Sequence, residues 1–174
     1  LIIMPHDTLV TFPTALGWIA MIGRGKVLEQ LTLAHPSKDA AIAALDGPLL
    51  DQARVGRWNP PLVRRLQAYA RGAAVRLDDI PVDPGPLGPF ARRVVALCRK
   101  IPAGKTVTYA ELARLAGSPR AARAVGNCMA KNRIPLVIPC HRVVPAGKGI
   151  GNYSAPGGAH TKRRLLALES APLK

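Results

Sequence analysis

The 174-residue sequence predicts an α/β protein in two parts. A small N-terminal α/β domain, sheet plus helices, occupies residues 1–80, and a mainly helical C-terminal domain with a helix-turn-helix occupies 90–174. Three observations carry this. Apolar stretches on either side of Arg24-Gly25-Lys26 read as a β-hairpin. Ile80-Pro-Val-Asp-Pro-Gly-Pro-Leu-Gly-Pro89 is too rich in Pro and Gly for a helix or an inner strand, so residues 81–89 read as a linker. The charge also changes there. Residues 1–84 hold nine Lys/Arg and eight Asp/Glu, whereas 85–174 hold sixteen Lys/Arg and only two acids, Glu111 and Glu169.

In the first part, Thr8–Phe12 reads as a strand, and Leu16–Gly23 and Val27–Leu33 as the arms of the hairpin. Ser37 is placed to cap a short helix running to Leu45, with Gly47 closing it. Asn59-Pro60 opens a second helix whose Leu62, Val63, Leu66 and Tyr69 share one face, and Gly72 ends it. Val75–Ile80 reads as one more strand. No chemical motif is legible here: His6 and His35 lack the Cys or acidic neighbours of a metal site.

In the second part, Phe90–Lys100 carries apolar residues at helical spacing, which makes Cys98 a core side chain. Thr108 caps Tyr109–Leu115, with Glu111 completing a capping box. Gly117-Ser118 makes a turn, and Pro119 starts a helix to Lys131, giving the helix-turn-helix. That second helix is mostly Ala and Gly with isolated arginines. Two readings stay open: a smooth surface suited to a minor groove, or a small-residue helix packed in the core.

The net charge of +15, nearly all of it in the second part, points to a polyanion, of which nucleic acid is the usual one. Drift toward Arg and Ala would also make a chain basic. An aromatic content of 4% counts against binders that stack many bases. Three cysteines argue against a disulfide framework and for a reducing compartment, cytoplasmic or, in a eukaryote, nuclear. No apolar run approaches the ~20 residues of a membrane span, and Leu1–Pro5 lacks the layout of a secretory signal.

Leu136-Val137-Ile138 reads as a short buried strand leading into Pro139-Cys140-His141-Arg142-Val143-Val144. A thiol attacks as its thiolate, which needs a nearby base or cation. Neighbours on a strand face opposite ways, so either the chain turns at Cys140 or a water links thiol and imidazole. A buried Cys beside a surface His is the plain alternative. Metal binding is disfavoured, because Cys98, Cys128, Cys140 and His141 lack a CxxC-type spacing.

These residues together resemble the O6-alkylguanine-DNA alkyltransferases (methylated-DNA–protein-cysteine methyltransferases). The resemblance rests on Ile138-Pro-Cys-His-Arg-Val-Val144, Ile101-Pro-x-Gly104, Thr108-Tyr109, Arg123-Ala-Val-Gly126, Asn132, Gly151-Asn-Tyr-Ser154 and Lys162…Leu165-Leu166…Glu169, in that family's order. It covers most of residues 90–170, while 1–80 are similar only in size and α/β character. It implies a ribonuclease-H-like first domain, a winged-helix-like second one, and a monomer without cofactor or metal. The implied partner is duplex DNA bearing O6-alkylguanine, entered from the minor groove with the damaged base flipped out. The implied reaction is one irreversible transfer of the alkyl group to Cys140.

By the same resemblance His141 is the base acting through a water, Glu169 orients it, and Tyr109 donates to the departing guanine. Arg123 fills the space of the flipped nucleotide, with Thr108, Ser118, Arg120, Ala122 and Ala124 against the DNA. Asn132 is the hinge between recognition helix and active-site loop. Val143 and Ser154 contact the base through their backbone, and Tyr153 lines the pocket. The sequence departs from the pattern in two places. Arg133 stands where many members have Pro, and the stretch from Tyr153 to Lys162 is about two residues longer than the commonest form. A lesion binder without transfer is disfavoured by the intact Cys140, and a Cys-His hydrolase by the lack of any specified oxyanion hole.

Overall fold

Residues 6–170 are described by the computed structural model. Leu1–Pro5, which bear on the expected compartment, and the end of the C-terminal part at 171–174 lie outside them. The first half is built on strands β1 (Thr8–Thr14), β2 (Gly17–Arg24) and β3 (Val27–His35). β2 pairs antiparallel with both neighbours, and Gly25 turns the β2–β3 hairpin at φ +58°. Two residues, β4 (Arg54–Val55), add a parallel edge to β1, giving the order β3-β2-β1-β4. Nothing in the sequence announces β4, since a two-residue strand with Val55 82% exposed has no alternation to read.

The sheet is buried on both faces. Ala20 and Ile22 meet Ala41 of helix α1 (Lys38–Ala43) and Leu45 just beyond it. Ile19 and Met21, alternating with them, join Trp58 and helix α3 (Pro60–Ala70) through Leu62, Leu66 and Tyr69. The caps expected at Ser37 and Asn59 are present, each accepting a backbone N–H at 3.1 Å.

Gly47 does not close α1. The helix stops at Ala43, and Gly47 begins α2 (Gly47–Gln52), because Asp46 caps it and Pro48 sits in its first turn. Val75–Ile80 is not a strand either. Arg99 donates to the carbonyl oxygens of Asp78 and Ile80 (3.0 and 2.7 Å), and Leu77 and Ile80 turn into the core. The contact with the sheet comes just beyond, as a parallel bridge between Val82 and Leu28.

The second half consists of α4 (Pro89–Cys98), β5 (Val107–Thr108), α5 (Tyr109–Leu115), α6 (Ala122–Ala130), β6 (Val143–Val144) and α7 (Ala159–Ser170). β5 and β6 form a small parallel pair. The capping box at the start of α5 is complete: Thr108 Oγ1 accepts from Glu111 N (3.1 Å), and Thr108 N donates to Glu111 Oε2 (2.8 Å). The following helix starts at Ala122, not at Pro119. Residues 118–121 make one more turn, Ala121 N to Ser118 O at 2.9 Å, which leaves Arg120 outside the helix. One apolar core runs through both halves, from Phe12, Met21 and Leu66 to Val94, Leu112, Val125, Ile138 and Leu165, and Cys98 is fully buried within it. No described helix is long and apolar enough to cross a membrane.

Candidate active site

The segment before Cys140 is buried as expected but does not form a strand. Leu136, Val137 and Ile138 are 2%, 2% and 0% exposed, yet Leu136 has φ +70° and Ile138 N bonds back to Ile134 O at 2.9 Å. Asn132 supplies what a strand neighbour would have given. Its Nδ2 donates to Ile138 O at 2.8 Å and its Oδ1 accepts from Ile134 N at 3.1 Å. A 3₁₀ turn over Cys140–Arg142 follows. The chain therefore turns at Cys140, which lets consecutive side chains serve one centre.

His141 is completely buried, and its Nε2 lies 2.7 Å from Glu169 Oε1. Arg142 grips the same carboxylate twice, Nη2 to Oε1 at 2.8 Å and Nε to Oε2 at 3.0 Å, while its Nη1 donates to Ile101 O at 2.5 Å. Burial works against the charged form of Glu169, but the hydrogen bonds from His141 and Arg142 outweigh it and hold the carboxyl well below the usual range. An ionised carboxylate only accepts, so Nε2 carries a proton and Nδ1 is left as the basic nitrogen. Nδ1 is buried and has no hydrogen-bond partner among the described residues. Burial also pushes the His141 pKa below its ordinary value, with Glu169 pulling it back.

Cys140 is 5% exposed, and burial raises its thiol pKa. The Asn132 amide, the Lys162 ammonium and the Tyr153 hydroxyl act in the opposite direction. The Tyr153 hydroxyl makes no hydrogen bond of full geometry, so its help to the sulfur is looser. Lys162 is only 1% exposed: Nζ donates to Val143 O at 2.7 Å and lies 3.5 Å from the Tyr109 hydroxyl, over that ring at 5.7 Å from its centroid. Burial keeps the Tyr109 pKa above its ordinary value, so its hydroxyl holds its proton.

The thiol opens into a cavity of about 780 Å³ whose walls include Tyr109, Arg123, Gly126, Cys140, Tyr153 and Lys162. The helix α6, with Arg123 exposed, thus forms one side of the chamber holding the thiol.

The model of a family described as "6-O-methylguanine DNA methyltransferase, DNA binding domain" matches residues 89–171. A Methanopyrus kandleri protein named methylated-DNA–protein-cysteine methyltransferase is 44% identical over 132 residues, covering 71% of this chain and 96% of that protein. The chain belongs to this family. A mouse methyltransferase of the same name is 50% identical over 84 residues, 48% of this chain, but the match spans only 39% of the mouse protein. The structure of Mycobacterium tuberculosis OGT in complex with DNA superposes with a TM-score of 0.77 at 30% identity, covering 93% of this chain and 92% of that one.

Of the residues singled out through the methyltransferase resemblance, Cys140, Tyr109, Arg123, Ala122, Tyr153 and Ser154 share the cavity. His141 and Glu169 stand behind Cys140, joined to each other, and Asn132 braces the loop from the side. Val143 is buried, its N–H donating to Cys140 O and its carbonyl accepting from Lys162 Nζ. Thr108, Ser118, Arg120 and Ala124 lie outside the cavity lining, Arg120 and Ala124 being exposed. Arg133 is tied to the sheet half, its carbonyl accepting from Leu31 N at 2.9 Å and its guanidinium meeting Asp46 at 3.3 Å. Cys128 is half-buried against the core. Among the described residues, no group of three or more His, Cys, Asp or Glu is arranged to hold a metal.

Sequence reasoning gave no role to Arg142, Lys162 or Tyr69. Arg142 stands inside the Ile138–Val144 motif and Lys162 in the Lys162…Glu169 pattern, so both are visible in the sequence. Tyr69 was read only as part of a helix face.

Proposed function

We propose that this chain is a DNA repair protein that rotates O6-alkylguanine out of duplex DNA and transfers the alkyl group, once and irreversibly, to Cys140. The observation that carries this reading is the shared cavity, with a buried thiol on one side and the exposed Arg123 of α6 on another. Family membership supports the reaction. The likeness to a relative studied with DNA, together with the concentration of positive charge in residues 85–174, supports DNA as the partner.

In this reading α5 and α6 are the helix-turn-helix, and α6 enters the minor groove. Its small residues Ala122 and Ala124 allow close approach, and Thr108, Ser118 and Arg120 meet the backbone. Arg123 occupies the place of the extruded nucleotide. The base enters the cavity against Tyr153, the backbone of Val143 and Ser154 meets its edge, and Asn132 couples α6 to the loop.

His141 Nδ1 takes the thiol proton through a bridging water, the step for which its unpaired, buried nitrogen is suited. The Cys140 sulfur then forms a bond to the alkyl carbon as the bond from that carbon to O6 breaks. The electron pair goes to the guanine, where a hydrogen bond from Tyr109 lessens the charge on the ring. The guanine gains a proton from solvent, His141 later releases one, and the thioether stays. Residues 1–80 act as a domain joined by 81–89 to the reactive domain 90–174, and the protein works as a monomer without cofactor.

Intact-mass measurement after incubation with an O6-methylguanine duplex tests this. We expect a gain of one methyl group per chain, absent in Cys140→Ala. Unchanged mass with retained duplex binding would overturn the transfer.

A further inference from the structure

The carboxylate that sets His141 is held from three directions, and one of them is the sheet half. Tyr69 lies in the last turn of α3, 5% exposed, with its ring in the shared core. Its hydroxyl donates to Glu169 Oε1 at 2.8 Å and comes within 3.5 Å of His141 Nε2. The same carboxylate oxygen receives Arg142 Nη2 and His141 Nε2, whereas Oε2 has only Arg142 Nε and a long contact to Gly104 N. Arg142 alone, a bidentate fork, leaves the carboxylate free to pivot about the guanidinium. A second anchor out of that fork fixes which way Oε1 points. Burial, and then the charge of Glu169, keep the Tyr69 hydroxyl protonated and so always a donor.

We propose that Tyr69 is a positioning residue for alkyl transfer, holding Glu169 Oε1 against His141 Nε2 so that Nδ1 stays free for the proton of Cys140. This rests on Cys140 being the acceptor, and it gives the N-terminal half a part in the chemistry beyond support. His141 is faced by Glu169 and Lys162 from α7, by Tyr69 from α3, and by Cys140 and Arg142 of its own turn. Removing the Tyr69 hydroxyl leaves more negative charge on Oε1 for His141 and Arg142 to share. The imidazolium is then better stabilised, and His141 protonates at a higher pH.

Tyr69→Phe keeps the ring and removes the hydroxyl. At saturating O6-methylguanine duplex we expect the single-turnover rate to fall roughly tenfold, with duplex affinity unchanged. The acid limb of the pH–rate profile should move to higher pH. An unmoved acid limb, whether the rate holds or falls, would overturn the proposal, because lost packing alone lowers stability without shifting that limb. If Tyr69→Phe does not fold, a ring-fluorinated tyrosine placed at position 69, a stronger donor, should move the limb to lower pH, and no movement overturns the idea equally. Two-bond proton–nitrogen NMR of His141 in the DNA-free protein separates this proposal from the wider reading. The wild type should show the proton on Nε2, and Tyr69→Phe should show a mixed tautomer or a raised titration. An unchanged His141 spectrum counts against Tyr69 even if alkyl transfer is confirmed, and a changed one supports it even if transfer fails.

Discussion

The sheet half and the loop around Cys140 solve the same problem in different ways. β1 and β2 satisfy each other's backbone groups through an unbroken ladder, and β2 and β3 through one with register shifts at Trp18/Ala20 and Ile22/Gly23, and side chains need only be apolar and alternate. From Asn132 to Val143 the chain is equally buried but almost without regular structure. There the backbone is held by Asn132 on Ile138 and Ile134, Arg142 on Ile101 and Lys162 on Val143. The difference leads us to expect that the polar residues of this loop tolerate less change than the side chains of the sheet. A ladder repeats its support at each residue, whereas a turn that presents a thiol depends on one side chain at each point.

The largest effect is expected at Glu169. Its side chain is 2% exposed and its partner Arg142 13%, and breaking such a pair from one side costs about 3–5 kcal/mol because the other charge stays buried. Urea unfolding of Glu169→Ala measures this. A loss under about 1 kcal/mol would mean the pair behaves like a surface one, and the contrast with the sheet half would weaken. Asn132→Ala comes next, at about 2 kcal/mol for the orphaned Ile134 N–H, Ile138 O keeping its bond from Cys140 N, and alkyl transfer is expected to be lost as the loop relaxes.

A smaller effect separates the halves by pH. Buried His141 has its pKa depressed below 6.5, so its contribution is complete above that pH and is lost as pH falls through the folded value. Glu169, depressed below 4.5, adds a second loss lower down. Glu29 in β3 has the opposite sign, its pKa raised first by burial and then by Asp7, so acid does not remove its contribution. Hydrogen exchange at pH 5 against pH 7 should therefore show protection fading around Cys140–Val144 and in α7 before β1–β3. Simultaneous loss would erase the distinction. The smallest effect is expected for Thr32→Val in β3, which removes the one hydroxyl proton that Ala41 O and Ala20 O share (3.0 and 3.4 Å) but keeps the ladder. About 1 kcal/mol and an unaltered transfer rate would sharpen the comparison, and a cost above that of Asn132→Ala would reverse it.

The same contrast explains what the sequence discloses. Caps at Ser37, Asn59 and Thr108 are legible because their partners lie within three residues. The hairpin is legible because its period is local. Val75–Ile80 and Leu136–Ile138 have the composition of strands, and what turns them is a distant or side-chain partner, Arg99 for the first and Asn132 for the second. At the site, Cys140 and His141 stand out by motif and Glu169 by the scarcity of acids around it. Tyr69 does not stand out, because its hydroxyl meets Glu169 across 100 residues of chain while its ring obeys an ordinary apolar pattern.

That span has a consequence for the order of events in a newly made chain. Contacts so far apart in sequence form late, after local helices and the hairpin have closed. The Tyr69–Glu169 bond and the burial of His141 are therefore expected to form late, as α3 and α7 come together. Until then Cys140 has neither the His141–Glu169 pair nor buried Lys162 beside it, and its thiol is that of an ordinary exposed cysteine. Assembly of the His141–Glu169 pair beside Cys140 is thus tied to completion of the fold, and a half-made or unravelled chain carries the thiol without the Asn132, His141 and Lys162 contacts that surround it in the finished one.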